Sequence, residues 1–231
     1  MPMYIQSCVL RADGPIYYAT REIGRLYETG DHLHNYALTY ALGFARSAYH
    51  ADSLSPTYRE QLGEVSARGV YVTPGTPRHV EHMISSLKFG KETWHEDPGA
   101  KKTGNYPRYG RIKEIAPGSE FAFYVLSPAP LPIPHWVRVG VWMTKCEVTV
   151  TAAGFVNESA DRADVVAWAL NPLDLATEPR AFDIVPMPPN SLIRHTQLIG
   201  RWWTGELAGE RSEKVSIPSN MSYLSQYTGI G

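Results

Sequence analysis

The sequence predicts an α+β fold, an antiparallel sheet with helices on one side. Three observations carry that expectation. One strongly apolar helical run follows the first strand, and most of the later chain reads as short β segments. Eighteen prolines and nineteen glycines in 231 residues favour turns and long connections over a helical bundle. With 43% hydrophobic residues the chain can bury a core, and it reads as one domain over residues 1–231.

The pattern of residues 3–11 predicts a strand with Ile5 and Val9 facing one way and Cys8 and Leu10 the other, closed by Asp13-Gly14-Pro15. Residues 20–28 are polar and charged, with Gly24 and Gly30 nearby, and read as a loop held at both ends. Asp31 is placed to cap a helix running to Ala45. In it Leu33, Ala37, Tyr40, Ala41 and Phe44 form one apolar stripe, and Leu38, Leu42 and Ala45 a second. A helix that apolar is buried against a sheet.

Residues 51–63, broken by Pro56, read as a loop and residues 69–73 as a short strand. Pro77 suits the first turn of a helix over residues 78–86, which would bring His79 and His82 to one face. Residues 87–113 read as a long hairpin inserted in the domain, its tip near residues 97–104. Further strands are expected over residues 119–126, 136–144, 147–151, 181–185 and 198–207. In the second of these, Val137, Val139, Val141 and Met143 share one side, and Trp136, Arg138, Gly140 and Trp142 the other. Residues 165–170 are either a strand or one helical turn, Asn171-Pro172-Leu173-Asp174 starts a short helix, and residues 219–231 read as a tail.

A net charge of −1 confines any nucleic-acid surface to a local patch. Cys8 and Cys146 alone cannot build a disulfide framework or a four-cysteine zinc site. The absence of a basic leader and of any apolar run near 18 residues reads as a cytoplasmic protein with no membrane partner. Neither His32-x-His34 nor His79-x-x-His82 has a zinc spacing, and no cofactor motif is present, whether G-x-x-x-x-G-K-[ST] or G-x-G-x-x-G. The nucleophile elbow G-x-S-x-G is missing too. Metal-free RNA cleavage asks only for a base, an acid and a cation, and Tyr40, His50, His79 and Lys88 leave it open.

Single-stranded nucleic-acid binding fits the residues best. Residues 87–113 set Lys88, Lys91, Lys101, Lys102, Arg108, Arg111 and Lys113 against Glu92, Glu96 and Asp97, with Trp94, Tyr106 and Tyr109 interleaved. Cations for phosphates and aromatics for bases are what such binding needs. A solvated basic hairpin meeting an acidic protein is the other reading. Arg21, Arg25 and Tyr27 likewise suit a phosphate-bearing ligand, unless the arginines simply pair with Glu22 and Glu28. Trp136, Trp142, Trp202 and Trp203 read as core or subunit-interface residues.

Residues 19–43, A-T-R-E-I-G-R-L-Y-E-T-G-x-x-x-x-N-Y-A-L-T-Y-A-L-G, closely resemble the type I-D CRISPR Cascade subunit of the Cas-five kind, the Csc family of RAMP proteins. The first strand and Asn171-Pro172-Leu173-Asp174 add support. The resemblance implies a modified ferredoxin-like (RRM-type) domain with a β-hairpin thumb. It implies a non-catalytic subunit that caps the 5′ handle of the CRISPR RNA (crRNA), contacts the backbone and large subunits, and lies near the protospacer-adjacent motif (PAM) of target DNA. Arg21, Arg25, Tyr27, Asn35 and Tyr36 match the motif and are expected to face the handle. The hairpin from Lys88 to Lys113 is the expected thumb by position. Some relatives cleave repeat RNA, so the alternative implied is a metal-independent endoribonuclease.

Overall fold

A computed structural model describes residues 2–47, 57–89 and 108–225. The chain opens with β1 (Met3–Ala12), β2 (Arg21–Ile23), β3 (Leu26–Glu28) and α1 (Asn35–Ala41). There follow α2 (Tyr58–Ala67), β4 (Tyr71–Val72), β5 (Thr76–His79), β6 (His82–Phe89), β7 (Arg108–Ile115) and β8 (Glu120–Ser127). Next come β9 (Trp136–Val139), β10 (Thr144–Glu158), β11 (Arg162–Val166) and a 3-10 turn at Pro172–Asp174. The strands β12 (Ala181–Val185), β13 (Leu192–Gly200), β14 (Trp202–Gly209) and β15 (Glu213–Pro218) complete the series. Antiparallel sheet with few helices therefore bears out the α+β expectation.

Among the described residues the largest sheet has eight strands, in the order β15-β14-β10-β1-β8-β4, with β5 also on β8 and β9 on β10. β1 sits at its centre because both of its edges are paired, Cys8 opposite Phe123 on one side and Val150 on the other. The sheet curls. Tyr124 on β8 donates to the Glu213 carboxylate at the start of β15 at 2.7 Å, across three intervening strands. In a flat sheet those strands would stand roughly 19 Å apart. Its two faces bury separate apolar clusters: Cys8, Leu10, Phe121 and Phe123 lie in one, Ile5, Leu126 and Val156 in the other. The expected alternation of β1 thus holds, with core on both sides. Helix α1 reaches both clusters, Leu38 and the C-cap residue Leu42 entering the first and Tyr36 the second.

Several local expectations are corrected. Helix α1 is capped by His34, whose Nδ1 accepts the Tyr36 N–H, because Leu33 is held extended by a bridge to Gly75. Asp31 bonds His32 instead. Residues 78–86 are the end of β5, a two-residue break and the start of β6: β6 finds eight consecutive partners on β7, and that ladder overrides the helical pattern. Residues 58–67 are helix α2, anchored by buried Leu62 and Val65. The expected strand 136–144 breaks into a hairpin at Gly140 (φ +76°) and Met143 (φ +51°), leaving Val141 and Met143 exposed. Residues 198–207 fall on two strands, β13 and β14. The start of the expected tail packs inside, with Tyr223 buried.

Candidate nucleic-acid interface

A separate four-stranded sheet, in the order β2-β3-β7-β6, gathers the two basic regions of the sequence. β6 and β7 pair antiparallel from His82 opposite Ile115 to Phe89 opposite Arg108. On the far side of β7, β3 lies parallel, with Leu26, Tyr27 and Glu28 opposite Arg111, Ile112 and Lys113. The residues expected to form a loop are thus a tight hairpin, turned at Gly24 (φ +61°). Backbone bonds fasten it: the Arg111 N–H donates to the Arg25 carbonyl at 2.9 Å and the Thr29 N–H to the Lys113 carbonyl at 2.9 Å. Upstream, Ile16 and Ile115 bridge, so the hairpin enters already attached to β7.

Strand alternation gives this sheet one covered and one open face. Ile112 and Glu114 are buried, whereas Arg111 is exposed and Lys113 half-buried. Register puts Arg21, Ile23, Ile84 and Ser86 on the Arg111 face. Arg21 donates to the Glu28 carboxylate at 2.6 and 2.9 Å. That hydrogen bond first, and then the charges of Arg21 and Lys113, hold the Glu28 carboxyl below the usual range. The pairing of Arg21 with Glu28 is the one its sequence allowed, and it leaves the guanidinium largely exposed. Arg25 is exposed at the turn and Tyr27 half-buried on the covered side.

Of the residues expected to bind RNA, Arg21, Arg25, Tyr27, Arg111 and Lys113 therefore share this sheet. Lys88, Arg108 and Tyr109 take backbone positions on its β6–β7 arms, Lys88 opposite Tyr109. Lys91, Lys101, Lys102 and Tyr106 lie outside the described residues, as does His50.

Asn35 and Tyr36 are a correction, since both are buried and neither reaches a ligand surface. They close instead on Asp174, which is fully buried. One Asp174 oxygen accepts from the Tyr36 hydroxyl at 3.0 Å and the Leu224 N–H at 2.8 Å. The other accepts from the Asn35 amide at 2.7 Å and the Tyr71 hydroxyl at 3.1 Å. Asn171 caps the 3-10 turn by accepting the Leu173 N–H, and its amide donates to Asn35 at 3.1 Å. Burial pushes the Asp174 carboxyl up to about 6, although four donors oppose it. The sequence signalled the cap and the acid of this turn, but not that they would meet Asn35 and Tyr36.

The two motifs that carried the resemblance thus converge in space, 139 residues apart in the chain. The family described as type I-D CRISPR-associated protein Cas5/Csc1 matches residues 3–226. This chain belongs to that family. Membership supports a role as a subunit of the type I-D Cascade complex. No curated protein matches it.

Other reactive groups of this Cas5/Csc1 family member lie among the described residues. Burial pushes the Cys8 and Cys146 thiols up to about 12, far from thiolate chemistry at neutral pH. Among the described residues no three His, Cys, Asp or Glu side chains group to hold a metal ion, and no helix is long and apolar enough to cross a membrane. Tyr40, a candidate acid or base for cleavage, donates to the Gln61 side chain.

Proposed function

We propose that this chain is the non-catalytic crRNA-binding subunit of the type I-D Cascade complex, capping the 5′ handle of the crRNA. One observation supports this most: the parallel β3–β7 pairing sets the motif arginines Arg21 and Arg25 beside Arg111 and Lys113 on a single sheet. In this reading Arg21, Arg25, Arg111 and Lys113 neutralise handle phosphates. The β6–β7 arms carry the thumb of a modified ferredoxin-like RAMP domain, with Lys88, Arg108 and Tyr109 extending the path. The backbone and large subunits flank the domain, and the basic track continues toward target DNA near the PAM. Near-neutral net charge suits a subunit that needs a basic groove rather than a basic whole.

The test is a gel shift of the metal-free protein with a labelled 5′ handle and with the full repeat RNA across a salt series. Arg21→Ala with Arg25→Ala is expected to weaken handle binding roughly tenfold. The log–log salt slope should become shallower by about 0.7 for each phosphate that no longer meets a cation. Unchanged affinity overturns the reading. A discrete cut within the repeat makes the protein a processing endoribonuclease.

A further inference from the structure

The hairpin joining β9 to β10 presents an apolar tip to solvent. Val141 is 63% exposed, Met143 58% and Trp142 46%, with Trp136 44% exposed lower on the same hairpin. Large apolar side chains clustered at one place mark an interaction site rather than an accident of the surface. The turn that displays them is held rigidly and at a cost. The Val141 N–H donates to the Tyr17 carbonyl at 2.7 Å, and Arg138 donates to the Met143 carbonyl at 2.8 Å. Gly140 tolerates no side chain, because a Cβ there would stand 2.8 Å from the Tyr17 oxygen. Met143 keeps a left-handed backbone (φ +51°) that an unbranched but bulky residue adopts unwillingly. Strain of this kind persists where a feature must be displayed.

We propose that residues 141–143, with Trp136, form a docking knob for an apolar pocket with an acidic rim on a neighbouring protein subunit, an inference that rests on membership of the complex proposed above. The acidic rim follows from charge: Arg138 and Lys145 stand opposite each other on the exposed side of the hairpin, Lys145 lying 3.6 Å from the Trp136 ring centre. Protein is favoured over nucleic acid by what the aromatics already do. Tyr17 stacks on Trp142 at 5.2 Å, the Trp142 N–H is spent on Glu114 at 3.0 Å, and Lys145 covers Trp136. Val141 and Met143 offer a base or a phosphate nothing, whereas Trp, Met and Arg are enriched in protein interfaces. Through Glu114, which also accepts from Ser85, the knob abuts the covered side of the β6–β7 arms.

The test uses the full chain reconstituted with the other complex subunits and crRNA. The variant is Val141→Ser with Met143→Asn, since asparagine accepts the left-handed backbone that methionine resists. Val141→Ser alone serves as the variant if the double one fails to fold. Expected are an unfolding midpoint unchanged or raised, unchanged handle-RNA affinity of the isolated chain, and incorporation into the complex weakened about tenfold or more. Arg138→Glu should weaken incorporation as well. If the wild-type chain enters the complex and the variants enter equally well, the knob is overturned alone. Loss of handle-RNA affinity in the isolated variant overturns it in favour of a nucleic-acid contact. A wild-type chain that never enters the complex overturns the complex reading, and the knob with it.

Discussion

The stretch 19–43 splits into two regions that use the same kinds of residue for opposite ends. In its first half, Arg21 and Arg25 stand exposed on an open sheet, and Arg21 meets the half-buried Glu28 carboxylate. In its second half, Asn35 and Tyr36 are sealed from water and bonded to Asp174, and Asn35 also to Asn171. On the open sheet the high dielectric keeps each pair weak and exchangeable, so a phosphate can compete for the cations. Around Asp174 every lone pair has a fixed donor, and losing one leaves an unsatisfied group in a low dielectric. A motif therefore marks scaffold as readily as ligand contact, and burial separates the two.

The largest expected effect breaks the buried side. Asp174→Ala orphans four donors, those of Asn35, Tyr36, Tyr71 and the Leu224 backbone. It should cost about 4 kcal/mol of unfolding free energy in a urea titration, with handle affinity per folded molecule unchanged. Reduced affinity in the folded fraction would join the two regions that the comparison separates.

The buried side also carries two opposed titrations. Asp174 sits at about 6 against an ordinary 3.8, so its contribution to stability is full below pH 3.8 and is lost as pH rises through 6. Burial pushes the capping His34 down to about 4 from 6.5, so its contribution is full above pH 6.5 and is lost as pH falls through 4. Each is worth roughly 3 kcal/mol, and together they nearly cancel between pH 4 and 6.5. His34→Asn keeps a cap acceptor and removes one titration. Urea midpoints of this variant should then fall as pH rises from 4 to 6, where the wild type stays level.

On the open side effects appear in binding and not in folding. Arg111→Glu should weaken handle RNA by about tenfold to a hundredfold at constant salt, with the urea midpoint unmoved. A shifted midpoint would assign Arg111 to the scaffold. The smallest effect sharpens the contrast: Glu28→Gln releases Arg21 from its ion pair. Handle binding should strengthen about twofold to threefold, with no change in the thermal midpoint.

Much of the scaffold was legible locally. The first strand, the asparagine-capped turn at 171–174 and the β segment at 181–185 are signalled by alternation, capping and turn chemistry within a few residues. The family signature too was written in the chain itself. Where the reading failed, a distant partner decided. Residues 82–86 became strand because β7 offered a ladder, and helix α1 began at Asn35 because Gly75 held Leu33 extended.

By itself, then, the sequence determined the α+β class, the apolar helix, the basic character of residues 87–113 and the family. Tertiary structure alone decided that β3 would lie parallel to β7 and so assemble one basic face from two separate segments. It decided equally that Asn35 and Tyr36 would be consumed by Asp174, 139 and 138 residues away. The physical reason is common to both: which polar groups find partners inside depends on long-range pairing, and no local pattern of residue types encodes whether a side chain keeps its contact with water.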